Sequence, residues 1–406
     1  MNVEKIREDF PVLQRKMGGK KIVYLDNAAT SLKPKQMIDA VNHYYSNVGA
    51  NIHRGLHKLS EEATRAYEES HEKVGKFVGA RKKEVVFTKN TTESMNLVMY
   101  SLMNSNYFKK GDKIVVSKME HHSNIVPWQF LEKKVGVKLE YAGLDENYEL
   151  DMGDFEEKAR GAKLVSVTGA SNTVATFPNL KEIEKKAHKE GALFCIDGAQ
   201  LVPHKEINFG AMKADFLAFS AHKMLGPTGT GALVAKEKLL NDLEPFMYGG
   251  DMIHSVSWKE ASWNELPYKY EAGTPHIAGA YGMSAAVDYL KKIGMREIEK
   301  REKVLTKLAL EEIGKIDSIK MYCPQDEEKQ GAIVLFNSEK VSPHDLALAL
   351  SETENICIRS GMHCAEPLVS SLNSEGLARA SFYFYNTEEE IMLLAKTIKE
   401  VVKTFG

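Results

Sequence analysis

The sequence predicts an α/β fold in which a mostly parallel sheet lies between helices, followed by a smaller α+β domain. Three observations carry this. Between about residues 60 and 260, short apolar runs alternate with amphipathic stretches, the pattern of strands and covering helices in a parallel sheet. Several of those runs end in polar clusters, as expected where ligands collect beyond the carboxyl ends of strands in open α/β sheets. After about residue 290 the pattern changes to long amphipathic helices around short strand-like runs such as GAIVLF (331–336). The expected divisions are an N-terminal segment (1–24) packing on the small domain, a large domain (25–285) and a small C-terminal domain (286–406).

Composition narrows the function. A chain of 406 residues, 43% hydrophobic, can build sizeable cores, and a net charge of −2 offers no broad basic field for nucleic acid or an anionic membrane. The opening MNVEKIREDFPVL mixes charge into its first turns and does not read as a secretory signal, and no apolar run reaches spanning length. Cys195, Cys323, Cys357 and Cys364 include no C-x-x-C pair, so neither a disulfide framework nor a cysteine zinc site is expected. The expectation is a cytoplasmic protein with a small-molecule or protein partner.

The polar clusters follow in chain order. In FTKNTTESMNLVMYSL (87–102), Asn90 can cap a helix, Glu93 can close the capping box, and the amides of Thr91 and Thr92 lie at the N-terminus as a phosphate seat. An ordinary capped helix has the same appearance. In SKMEHHSNIVPW (117–128), His121 is placed to stack on a planar cofactor and to shuttle protons. Its neighbour His122 points elsewhere, so only one of the two is expected to function. A metal reading of this pair, or of His53 with His57, lacks a third ligand at motif spacing. The next runs are KLVSVTGASN (163–172), ALFCIDGAQ (192–200) and ADFLAFSAHK (214–223), with a helix striped by Leu180, Ile183 and Ala187 after the first and ended by Gly191. They finish in Ser171-Asn172, in Asp197 with Gln200, and in Ser220 with His222-Lys223.

A lysine at a strand end becomes a Schiff-base nucleophile when burial or neighbouring cations favour its neutral amine. Taken alone, Lys223 reads more simply as a surface lysine, and Asp197 as a turn cap. Together they match what pyridoxal 5′-phosphate (PLP) requires: an amine for its aldehyde and a carboxylate for its pyridinium nitrogen. The following GPTGTG is neither a Walker loop nor a dinucleotide fingerprint.

With YLDNAATS (24–31), NIHRGLHKLS, TTESMNLV, MEHHSNIVPW, IDGAQLVPH, FSAHKMLGPTGTG, YEAGTP and IRSGMHCAEPL in this order, the chain resembles, almost end to end, the fold-type I PLP-dependent transferases of the class V aminotransferase group, and specifically the SufS-like (group II) cysteine desulfurases. The resemblance implies that Lys223 holds PLP, Asp197 partners the pyridinium, Gln200 contacts the phenolic oxygen and His121 stacks on the ring. Thr92, Ser220 and His222 match the phosphate cradle, and Thr274 a residue lent to the neighbouring subunit, which implies a homodimer with composite sites. Asn172 and Arg379 match the substrate carboxylate clamp. Asn27, Ala28 and Ala29 resemble the substrate-side loop, and His53, Arg54 and Arg359 resemble active-site rim residues.

Cys364 is the discriminating residue. Lone cysteines are often small core hydrophobes, and Cys195 reads that way inside its apolar run. Cys364, in RSGMHCAEP between Gly361 and Pro367, resembles a reactive loop thiol, with the positive charge of Arg359 and His363 expected nearby. The implied reaction converts L-cysteine to L-alanine and leaves the sulfur on Cys364 as a persulfide, for a thiol-bearing carrier or an iron–sulfur scaffold. Met362, Glu366 and the loop SNTVATFP (171–178) depart from the family pattern. A selenocysteine lyase of the same fold, or a catalytically silent assembly partner, would share most of these residues, although Lys223, Asp197, Cys364 and Arg379 together argue against the silent one.

Overall fold

Seven strands form the central sheet in a computed structural model that describes residues 1–405. They are β1 (Val85–Thr88), β2 (Lys113–Ser117), β3 (Lys138–Ala142), β4 (Ala162–Thr168), β5 (Leu193–Asp197), β6 (Phe216–Ser220) and β7 (Gly231–Ala235). Their spatial order is β1-β7-β6-β5-β4-β2-β3. Strands β2 to β6 pair in parallel, and β7 runs antiparallel to both β6 and β1.

Both faces of this sheet are covered. Val115, Val165, Ile196 and Leu217 enter one core cluster, while their neighbours Ile114, Leu164, Cys195 and Phe216 enter another on the opposite face. Two-sided burial is why the strands read as continuous apolar runs without polar alternation. Each fully buried Leu, Ile or Phe contributes about 1.5–3 kcal/mol, and Cys195 is one of these core residues.

Helices of the large unit include α1 (Lys58–Val78), α2 (Thr91–Asn104), α3 (Leu180–Lys189) and α4 (Ile277–Ile293). Helix α3 buries Ile183 and Ala187, is capped by Asn179 and stops just before Gly191 at φ +74°. Helix α2 has the expected cap, Asn90 Oδ1 accepting from Glu93 N–H at 3.0 Å. Glu93 closes the return bond one residue earlier than expected, accepting from Lys89 N–H, because Asn90 is fully extended as it enters the helix.

The C-terminal unit comprises α5 (Met295–Gly314), β8 (Ile319–Met321), β9 (Ile333–Ser338), α6 (Pro343–Glu354), β10 (Arg359–Gly361), α7 (Glu366–Leu372), β11 (Leu377–Ser381) and α8 (Glu388–Phe405). Its antiparallel sheet has the order β8-β9-β11-β10 and its own apolar core, with Leu305, Phe336, Leu346 and Ile398. Helix α4 runs unbroken through residue 285, and the chain turns at Gly294 (φ +91°). We therefore place the passage between the two units at Gly294.

The N-terminal segment lies against the C-terminal unit and reaches the large one. Arg7 donates to Tyr385 O and Glu390 Oε1, both at 2.7 Å. Val23–Tyr24 pairs in parallel with Ile356–Cys357, Ala28 N–H donates to Ser381 Oγ, and Ser31 N–H donates to His222 O. Among the described residues, no helix is long and apolar enough to cross a membrane.

One buried carboxylate ties the edge of the sheet to α1. Glu271 accepts from Tyr67 Oη at 2.7 Å and Phe87 N–H at 2.6 Å, and is hydrogen-bonded to His71 Nε2 at 2.8 Å. Truncation leaves buried donors without an acceptor, at about 1–3 kcal/mol each. Glu271→Ala is therefore expected to lose at least about 2 kcal/mol in urea unfolding at matched protein concentration, and Glu271→Gln, which keeps an acceptor oxygen, less.

Candidate active site

Strand register gathers the polar ends. Thr168 pairs with Asp197, Asp197 with Ala218, and Gly231 sits opposite both Ser220 and Thr88. The carboxyl ends of β4, β5 and β6 and the N-terminus of α2 thereby line one cavity of about 230 Å³. At one end, Thr91 N–H donates to Ser220 Oγ at 2.8 Å, and the two hydroxyls lie 2.7 Å apart. Thr92 and His222 complete this end. A Cβ on Gly231 would stand 2.6 Å from Phe219 O and 2.8 Å from Asn90 Cα, so glycine is what lets β7 pass beneath the cap of α2.

The middle of the cavity holds Lys223, Asp197, Gln200 and His121. Burial pushes the Lys223 amine down to about 8, against the pull of Asp197. Burial also raises the Asp197 carboxyl, while the Ala199 amide, the Lys223 charge and the Ser123 hydroxyl oppose the rise. Gln200 donates from Nε2 to Ala28 O at 2.6 Å, which leaves its buried Oε1 without a partner. His121 is pushed down to about 3 by burial and then by Lys223, so its ring is neutral. Ser123 N–H donates to His121 Nδ1 at 3.0 Å, which assigns the ring proton to Nε2.

At the far end, Arg379 is buried and Arg359 exposed, and both bind Asp26, at 3.3 and 3.2 Å. Arg379 also donates to Asn172 O at 2.7 Å and keeps its Nε unpartnered. Asn172 spends one amide hydrogen on His363 O at 2.7 Å, leaving the other for a ligand. Ala28, Ala29 and Cys364 also line this end, and the Cys364 side is exposed. His363 does not bring the expected positive charge: burial, then Arg379, hold it down to about 3.

Four expected site residues do not line this cavity, among them Asn27, which is buried and donates from Nδ2 to Ser381 O at 2.8 Å. Arg54 pairs with Asp251 at 3.6 Å, and the His53 ring packs on Tyr268 at 4.7 Å, because the loop before α1 folds toward the opposite flank. Neither is a rim residue of this chain's own cavity. Thr274 accepts from Asn51 Nδ2 at 3.3 Å and lines a separate cavity of about 570 Å³ with Lys89 and His276. Conversely, the sequence reading missed Asp26, Ser123 and Glu120. Ser123 Oγ lies 2.8 Å from His121 Nδ1 and donates to Asp197 Oδ2 at 3.3 Å. Glu120 is fully buried, pushed up to about 8 by burial, and accepts from Thr168 N–H and Asn124 Nδ2. Its place directly before His121 in an apolar-to-polar transition was the available signal.

The family model for the class V aminotransferases matches residues 23–394. A cysteine desulfurase of Haloferax volcanii is 43% identical, covering 100% of this chain and 98% of its own. The apo structure of a cysteine desulfurase from Thermococcus onnurineus NA1 superposes with a TM-score of 0.94 at 42% identity, covering 99% of this chain and 98% of that one. The S-sulfonic acid form of the cysteine desulfurase CsdA from Escherichia coli does so with a TM-score of 0.90 at 32% identity, covering all of both chains.

The depressed Lys223 amine gives a pH signature. A neutral amine adds to an aldehyde and an ammonium does not, so reactivity rises with pH through the folded value. In cofactor-free protein, reductive labelling of Lys223 by a small aldehyde is expected to be half-maximal near pH 8 and flat above about pH 9. A midpoint near the ordinary lysine value, about 10.4, would contradict the assignment.

Proposed function

Because this chain belongs to the class V aminotransferase family and is a cysteine desulfurase, we propose that Lys223, Asp197 and Cys364 divide its reaction between holding a PLP cofactor, tuning it and accepting the sulfur. The family is PLP-dependent. The observation that carries the reading is the convergence, in one cavity, of an anion seat, a near-neutral amine, a buried carboxylate and an exposed thiol. The residues fit the cofactor: Thr91, Thr92, Ser220 and His222 suit its phosphate, Asp197 its ring nitrogen, and the second amide hydrogen of Gln200 its phenolic oxygen. When bound, PLP supplies an electron sink for the amino-acid α-carbon.

The chain's own residues do the rest. Lys223 holds the cofactor and moves the proton at the substrate α-carbon, and Arg379 with the free Asn172 amide hydrogen orients the substrate carboxylate. The His121 ring, which lines the cavity with Lys223, would stack on the cofactor and offers Nε2–H. The Cys364 Sγ attacks the sulfur of L-cysteine. A new S–S bond forms, the substrate C–S bond breaks, and its carbon takes a proton, so alanine leaves and Cys364 carries –S–SH. Two thiols supply both electrons and hydrogens, and no external oxidant is required. Exposure of Cys364 supports hand-off of that sulfur to a carrier or an iron–sulfur scaffold. The place of Thr274 outside this chain's cavity supports a homodimer in which it completes the partner's phosphate seat.

Incubation of holoenzyme with L-cysteine, without reductant, is expected to add about 32 Da to the peptide bearing Cys364 with alanine released. Lys223→Ala is expected to lose both, and Cys364→Ala to lose the adduct and at least about 10²-fold in alanine formation. Alanine formation undiminished in Cys364→Ala would favour a lyase that expels the chalcogen directly.

A further inference from the structure

The loop that presents Cys364 has a backbone few side chains adopt. His363 and Cys364 stand at φ +51° and +56°, in the left-handed region where non-glycine residues are strained. Within its own unit the turn is held by Ala365 N–H donating to Met362 O at 2.9 Å and by His363 Nε2, hydrogen-bonded to Leu377 O at 2.8 Å. Three more come from the large unit. Asn172 Nδ2 donates to His363 O at 2.7 Å, His122 N–H donates to Cys364 O at 2.8 Å, and Glu366 N–H donates to His122 Nε2 at 3.0 Å. His122 therefore grips the chain at the thiol-bearing residue and just after it, by its backbone at residue 364 and by its ring at residue 366. It does so from the residue beside His121, whose ring lies in the cavity. An accepting Nε2 bears no proton, so the neutral ring carries its proton on Nδ1.

We propose that His122 is a positioning residue for the sulfur-accepting step, its ring nitrogen fixing the strained loop so that Cys364 Sγ points at the substrate sulfur. This rests on the reading of Cys364 as sulfur acceptor. His122 does not touch the reacting atoms; it acts through the loop.

The ring contact can be separated from the backbone one by comparing His122→Leu, which cannot accept a hydrogen bond, with His122→Gln, which can. Hydrogen exchange of the peptide spanning 361–370 in the holoenzyme is expected to accelerate at least about 10-fold in His122→Leu, with the rest of the protein unchanged. Single-turnover sulfuration of Cys364 is expected to slow by about 10–100-fold, the scale of a small misplacement of a reacting group. The L-cysteine concentration that half-saturates the cofactor absorbance change should not move, and His122→Gln should restore most of the rate and of the loop protection. A loop as protected in His122→Leu as in wild type overturns the proposal, and so does a defect that His122→Gln reproduces in full. If wild-type protein gathers no sulfur on Cys364 while the loop still loosens in His122→Leu, the holding role stands and the reading of Cys364 falls.

Discussion

The site depends above all on a low-dielectric edge of the central sheet. Covering both faces of β4, β5 and β6 removes water from the strand ends, and titratable groups there shift toward their uncharged forms. Three histidines, His121, His222 and His363, are pushed down to about 3, about 4 and about 3, burial being the first cause in each. Each is therefore an uncharged ring near neutrality. The same environment brings Lys223 to about 8, where amine and ammonium coexist. Lys223 is thus the amine of the cavity that burial brings near neutrality, while Arg359 and Arg379 supply its positive charge.

The arginines are organised by a carboxylate from the far end of the chain. Asp26 binds Arg359 and Arg379 together, offsetting the repulsion between two guanidiniums that line one cavity. Near it, the segment up to Ser31 is stitched to Ser381 on one side and to the carbonyl of His222 on the other. Lys33 donates to that same carbonyl at 2.7 Å, and burial pushes its amine down to about 7. The turn that carries Lys223 and the strand that carries Arg379 are thus held in register by one N-terminal strap.

Much of this was legible in the sequence because it is local. The apolar runs marked the strands, the polar residues closing each run marked the site, and Asn90 marked the cap of α2. What escaped reading depends on distance through space. Asp26 meets partners 333 and 353 residues away. Glu120 looks like any surface glutamate until the fold buries it against Thr168. His53 and Arg54 sit within a motif as suggestive as the others, yet the turn before α1 sends them to a different flank. His363, beside the thiol in sequence, loses its charge to burial, an effect that proximity along a chain cannot convey.

The pairing of Val23–Tyr24 with Ile356–Cys357, and of the next residues with Ser381, bears on how the protein is made. A chain grows from its N-terminus at about 5–20 residues per second, so this strap emerges on the order of tens of seconds before the strands it joins. The large unit, with Lys223 and Asp197, is complete in the nascent chain while the wall bearing Arg379 and Cys364 is still unsynthesised. Biosynthetic order leaves the exposed thiol of Cys364, and the Arg379 that shares its cavity, to be added last.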